Sequence, residues 1–190
     1  MPLNFPIFLT WTRVLAVPFI VGIYYLPVEW LTLSGKNSVA TAFFICAALT
    51  DWLDGFLARR WQQTSSFGAF LDPVADKLMV TTALLVLLHL DRVNVLIALV
   101  IIGREIAISA LREWMAQIGA TRSIAVNFLG KLKTAVQMVA IPMLLFNNTI
   151  HNFDTALVGY WMIWLAVLLT ILSMGYYLRL ALPTIIANSK

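Results

Sequence analysis

The sequence predicts an all-α integral membrane bundle of six transmembrane helices, with a short N-terminal amphipathic helix in the membrane interface and both termini cytoplasmic. Three observations carry this. The first is composition: 61% of the 190 residues are hydrophobic and 12% are charged, with a mean hydropathy of +0.88, far from the balance of a soluble domain. The second is a set of six apolar runs divided by polar or Pro/Gly breaks, each close to the roughly 20 residues that cross a bilayer as a helix. The third is charge asymmetry. Arg13, Arg59, Arg60, Arg112, Arg122, Lys131, Lys133, Arg179 and Lys190 fall toward one side, whereas the opposite loops hold only Lys36 and Arg92. By the positive-inside rule the first side, with both termini, is cytoplasmic.

Residues 1–190 are read as a single membrane domain, because six spans use up the chain. Before the first span, Met1 to Arg13 mixes Leu3, Phe5, Phe8, Leu9 and Trp11 with Asn4, Thr10 and Arg13, a pattern that suits a helix lying in the interface. In the first span, Thr10 to Val28, the apolar stretch after Arg13 is followed by Tyr24, Tyr25, Pro27 and Glu29 instead of a small-residue cleavage site, so the span is expected to be retained. The second, Ser38 to Arg59, carries aspartates toward its end, and the third, Pro73 to Leu90, opens on Asp72 and Pro73, a cap followed by a proline suited to a first turn. Val93 to Met115 and Val126 to Phe146 form the fourth and fifth spans and carry a basic set. Thr155 to Leu178 is the sixth, its aromatics read as packing or lipid-facing. Cys46 has no partner cysteine, which excludes an internal disulfide. No pattern of stacking aromatics with basic residues points to nucleic acid. His151 falls in an outer loop with Asn147, Asn148 and Asn152 and is given no role.

The chemistry is expected at the aspartates. Asp51, Asp54, Gly55 and Ala58 are spaced i, i+3, i+4, i+7, one helix face, and Asp72 and Asp76 are i, i+4. The intervening stretch, residues 60–71, is short enough to make the second and third spans antiparallel neighbours whose acidic faces meet. Asp51 lies about 13 Å inside the cytoplasmic helix end at 1.5 Å per residue. Each carboxylate near the membrane centre costs roughly 2.5 to 3.5 kcal/mol, and clustering adds repulsion. Cations must offset this. Oxygen donors without histidine or cysteine favour Mg²⁺ or Mn²⁺ over Zn²⁺, and four carboxylates suffice for two ions about 3.5 to 4 Å apart. Gly55, Ala58 and Gly68 leave room for a substrate.

Asp51-x2-Asp54-Gly55-x2-Ala58-Arg59-x8-Gly68-x3-Asp72-x3-Asp76 resembles the complete signature of the CDP-alcohol phosphotransferases. The stretches TDWLDGFLARRWQQTSSFGAFLDPVADK, GREIAISALREWMAQIG and GKLKTAVQMVA extend the resemblance to the branch that acts on sn-glycerol 3-phosphate. The resemblance implies a homodimer that transfers the phosphatidyl group of CDP-diacylglycerol to an alcohol and releases CMP, with two divalent cations at the aspartates. It further implies that Asp51, Asp54, Asp72 and Asp76 hold metal, that Asp76 is also the general base, and that Gly55, Ala58, Arg59 and Gly68 line the CDP-lipid site. Asn4, Pro6, Thr10 and Arg13 are similar to the family's amphipathic helix, although Ile7 stands where many relatives have a second asparagine.

The acceptor is read from the basic set. Arg104, Ile108 and Arg112 repeat every four residues along one face, with Glu105 and Ser109 on an adjoining line, and Lys131, Lys133 and Thr134 open the fifth span. Arginine forks and lysine point charges suit a phosphate, so Arg104, Arg112, Lys131, Lys133 and Thr134 are expected to bind the phosphate of an acceptor such as sn-glycerol 3-phosphate. Glu105 is expected to pair with an arginine. A relative using inositol phosphate, or a divalent-cation transporter built on the aspartates, is the competing reading; the transporter needs a polar path open to both faces.

Overall fold

The six apolar runs form six helices: α1 (Phe5–Tyr25), α2 (Leu33–Trp61), α3 (Ser66–His89), α4 (Val95–Gln117), α5 (Phe128–Phe146) and α6 (Thr155–Asn188). The structure, a computed structural model, describes residues 5–61, 66–118 and 128–188, with side chains for 10–51, 68, 70–118, 128–183 and 185–186. Between α5 and α6 a two-stranded ribbon, β1 (Thr149–Ile150) with β2 (Phe153–Asp154), is closed by His151 and Asn152. Both turn residues have positive φ, 46° and 68°, as a tight hairpin turn of the right twist requires. Asp154 then caps α6, accepting from the backbone N–H groups of Ala156 at 2.9 Å and Leu157 at 3.1 Å.

Two boundaries differ from the sequence expectation. Helix α1 runs unbroken from Phe5 through the first span, so the described part of the amphipathic segment is not a separate helix. Its buried positions Thr10, Arg13, Ile20 and Ile23 make one stripe at i, i+3, i+10, i+13 that faces the bundle. Helix α3 begins at Ser66, and Pro73 lies inside it instead of at its start. A proline there forfeits one i to i−4 bond, and the helix continues because Ala75, Met79, Ala83 and Leu87 extend its buried face.

The core is an apolar slab of Ile20, Phe44, Leu84, Leu87, Ile101 and Ile141. Large apolar side chains also point outward, Leu15, Phe19, Leu99, Ile106, Trp161 and Leu172 among them. Helices apolar on both inner and outer faces are what a bilayer selects. Helices Phe128–Phe146 and Thr155–Pro183 are long and apolar enough to cross a membrane on length and composition alone. In the others, α2, α3 and α4 carry the charged residues that form the sites described next.

The packing order positions those sites. Helix α1 packs on both α2 and α3, more extensively than α2 and α3 pack on each other, while α5 packs on α6, α2 and α3, and α4 on α6 and α3. Asp51 of α2 and Asp76 of α3 do come together in one cavity, as expected from the short loop, and α1 adds a third helix to the seam.

Candidate active site

At the seam, α1 supplies a counter-charge to the aspartates of α2 and α3. The Arg13 side chain is 1% exposed; its Nη1 donates to Oδ1 of both Asp51 and Asp76, and its Nη2 lies 3.6 Å from Oδ1 of Asp72. Thr10, one turn earlier on the same face, donates its hydroxyl to that Asp72 oxygen at 2.6 Å. Three carboxylates thus focus on one guanidinium. Repulsion among them explains the intervening arginine. The three carboxylates remain 40 to 48% exposed.

Those carboxylates open on a cavity of about 260 Å³ lined by Asp51, Asp76, Lys77, Glu105, Thr134 and Gln137. Hard oxygen donors gathered around a single positive centre fit a divalent ion in chemistry. Among the described residues, no three side chains of metal-ligating type are grouped to hold an ion by themselves. Asp54, Gly55, Ala58 and Arg59 lie on the last turns of α2, but their side chains fall outside the described residues. Gly68 is buried in α3, four residues before Asp72 and so on its face.

The basic set meets this cavity from the other side. A second cavity, of about 450 Å³, is lined by Arg104, Arg112, Lys131, Gly130 and Tyr177, and it shares Glu105, Thr134 and Met138 with the first. Glu105 pairs with Arg104 at 3.1 Å, as expected, and with Lys133. Lys133 is 1% exposed and lines neither cavity, so its ammonium supports Glu105 from behind. The Nε of Arg104, in a side chain 7% exposed, has no hydrogen-bond partner: an idle buried donor beside the cavity suits an anion that arrives from outside. Thr134 donates its hydroxyl to the Gly130 carbonyl at 2.9 Å, which leaves its oxygen free to accept.

Four contributors were not assigned from sequence. In the sequence, Arg13 reads only with the positive-inside flank and the amphipathic segment, Tyr177 reads with the packing aromatics of the sixth span, and Lys77 and Gln137 carry no reading. Tyr177 is fully buried; its hydroxyl accepts from Arg112 Nη2 at 3.2 Å, and the Arg112 guanidinium stands 5.2 Å over its ring. The one signal available was spacing: Thr10 with Arg13 at i, i+3, and Lys133 with Gln137 at i, i+4, each on the inner face of its helix.

Comparison with known proteins agrees with this geometry. The sequence profile described as CDP-alcohol phosphatidyltransferase matches residues 3–172. A CDP-diacylglycerol–glycerol-3-phosphate 3-phosphatidyltransferase of Haemophilus influenzae is 45% identical over 190 residues, 99% of this chain and 98% of that protein. Proteins of the same name from Yersinia enterocolitica and Shigella flexneri are 47% and 48% identical over 183 residues, 95% of this chain and 96% of each of theirs.

Proposed function

From the premise that this chain belongs to the CDP-alcohol phosphatidyltransferase family, we infer that it transfers the phosphatidyl group of CDP-diacylglycerol to sn-glycerol 3-phosphate, giving phosphatidylglycerol phosphate and CMP in phospholipid synthesis. One observation carries the reading: the carboxylate cavity and the basic cavity share a wall at Glu105, Thr134 and Met138, so a diphosphate donor and an anionic acceptor can meet.

Arg104, Arg112 and Lys131 hold the acceptor's phosphate in the basic cavity. That leaves the acceptor's hydroxyl end directed across the shared wall toward Asp76. Asp76 accepts the hydroxyl proton as the oxygen attacks the phosphorus that carries diacylglycerol. The bond broken joins that phosphorus to the bridging diphosphate oxygen, which leaves with CMP. Asp51, Asp54, Asp72 and Asp76 would hold two Mg²⁺ or Mn²⁺ ions, whose role when bound is to neutralise charge on the phosphoryl oxygens and on the departing CMP. Gly55, Ala58, Arg59 and Gly68 border the donor. Arg13 is the cation at this acidic focus, and its hold on Asp51 and Asp76 would have to loosen for them to ligate metal.

Six spans, cytoplasmic termini and an active site open to the cytoplasm of the inner membrane complete the proposal, with a homodimer as the assembly. The apolar core of Phe44, Leu84, Leu87 and Ile101 speaks against the transporter alternative, which needs a polar path open to both faces. Purified protein in detergent, given CDP-diacylglycerol and Mg²⁺ or Mn²⁺, is expected to release CMP with sn-glycerol 3-phosphate and to be inert with serine. Release with inositol phosphate but not with glycerol 3-phosphate would refute the acceptor assignment.

A further inference from the structure

Gln137 is the one uncharged amide side chain lining the carboxylate cavity. It is 3% exposed, and its Oε1 has no hydrogen-bond partner among the described residues. Neighbouring positions on the inner face of α5 are Lys133 on one side and Ala140, Ile141 and Leu144 on the other. A glutamine in such a stripe is normally tied to a facing helix, since an amide carbonyl taken out of water without a partner is costly. Here the residue lines the space between Asp51 and Asp76 on one wall and Glu105 and Thr134 on the other, with its carbonyl enclosed and unpartnered at the edge of that space. It can only accept, so the partner it lacks is an O–H or N–H donor brought by a ligand.

We propose that Gln137 is a specificity-determining residue whose carbonyl oxygen accepts a hydrogen bond from the hydroxyl of the acceptor that does not react, the one on the carbon next to the attacking hydroxyl. This rests on the acceptor reading above. The reacting hydroxyl must deliver its proton to Asp76, and a second strong acceptor on the same proton would compete with that transfer. The adjacent hydroxyl carries no such conflict. Anchored by its phosphate among Arg104, Arg112 and Lys131 and by this hydroxyl at Gln137, the acceptor is fixed at two points, and the attacking oxygen loses its freedom to swing away from phosphorus. A site with a buried polar group awaiting one hydroxyl discriminates against a substrate that lacks it, because that group is then left unpaired.

The test compares sn-glycerol 3-phosphate with 3-hydroxypropyl phosphate, which has the same length, phosphate and primary hydroxyl but no middle hydroxyl. CMP release from CDP-diacylglycerol micelles with Mg²⁺ gives kcat/KM for each. The wild type is expected to prefer glycerol 3-phosphate by about tenfold or more, a size appropriate to one hydrogen bond of this kind. Gln137→Met, similar in volume but without the carbonyl, is expected to bring the ratio near one by lowering the glycerol 3-phosphate value alone. The ratio is taken within one preparation, so a reduced folded fraction does not affect it. If Gln137→Met yields no active protein, Gln137→Asn, with its carbonyl set back by one methylene, is expected to show a ratio between one and the wild-type value. A wild type indifferent to the missing hydroxyl, or a variant that keeps the full preference, overturns the proposal. Absence of CMP release by the wild type with glycerol 3-phosphate sinks the acceptor reading first, and this inference with it.

Discussion

Arg13 and Arg92 lie at opposite ends of the bundle and meet different kinds of oxygen. Arg13 donates to Asp51 and Asp76, with Asp72 at 3.6 Å. Arg92 donates to the carbonyls of Leu144 at 3.0 Å and Leu145 at 2.7 Å, and to Asn37 Oδ1 at 2.9 Å. Beside it, Lys36 donates to the carbonyls of Leu26 at 2.5 Å and Tyr24 at 3.3 Å. At this end the partners are neutral and two cations close the C-terminal ends of α1 and α5, where backbone carbonyls lack helical donors and the helix dipole is negative. These are the two cations that stood against the positive-inside pattern, and capping accounts for both. At the aspartate end the partners are carboxyl groups that outnumber the arginine and stay half exposed.

The largest effect expected from breaking this contrast is at Asp76. Asp76→Asn keeps the shape of the site while removing the base, so turnover should fall by about 10²- to 10⁴-fold, with CDP-lipid binding still measurable by calorimetry. Retained turnover would exclude Asp76 as the proton acceptor. Arg13→Ala comes next. Removing the shared cation from three facing carboxylates should cost about 2–4 kcal/mol of stability in chelator, toward the lower end because the carboxylates are partly solvated. Millimolar Mg²⁺ should return most of it, since metal supplies the missing charge. A thermal-unfolding deficit that ignores Mg²⁺ would mean the acidic focus is not a metal site.

Arg92→Ala sharpens the comparison from the other end. It leaves the Leu144 and Leu145 carbonyls and Asn37 short of a donor, at a cost of about 1–3 kcal/mol. That loss should be the same in chelator and in Mg²⁺, with kcat/KM of the folded fraction within about twofold of wild type. A Mg²⁺-dependent deficit here would erase the distinction between the two ends.

How much of this could be read in advance follows the same division. The clustering of Asp51, Asp72 and Asp76 was legible because charge in an apolar chain is conspicuous and their spacing is helical; Asp54's side chain lies outside the described residues. Glu105 was legible as a salt-bridge partner for the same reason. The start of α3 was not, since Asp72-Pro73 reads locally as a cap and first turn, whereas the buried face running on from Ala75 depends on what α3 packs against. Nor could the loop length show that α1 would lie in the seam: a short connection limits how far α2 and α3 separate without saying what fits between them. Arg13, Gln137 and Tyr177 share a deeper obscurity. Each is of a type common in membrane helices, and its meaning comes from a partner, or from a missing partner, on another helix.

Tyr177 provides the smallest predicted effect and the finest test of how the basic cavity is arranged. Its hydroxyl accepts from Arg112 at 3.2 Å while its ring lies 5.2 Å beneath the same guanidinium, so two attachments aim one arginine. Arg112→Ala removes the charge and should raise the apparent KM for glycerol 3-phosphate by about 10- to 100-fold, as for a charge-assisted phosphate contact. Tyr177→Phe removes only the hydroxyl and keeps the ring, whose attraction for the cation is worth about 0.5–2 kcal/mol. The expected change is therefore about two- to fivefold in that KM, with kcat and the KM for CDP-lipid unmoved. An unchanged KM in Tyr177→Phe alongside a large effect in Arg112→Ala would show that ring stacking alone orients the arginine. A shift in kcat would instead mean that Arg112 engages the transition state, so that the acceptor's phosphate remains under tension as its hydroxyl attacks.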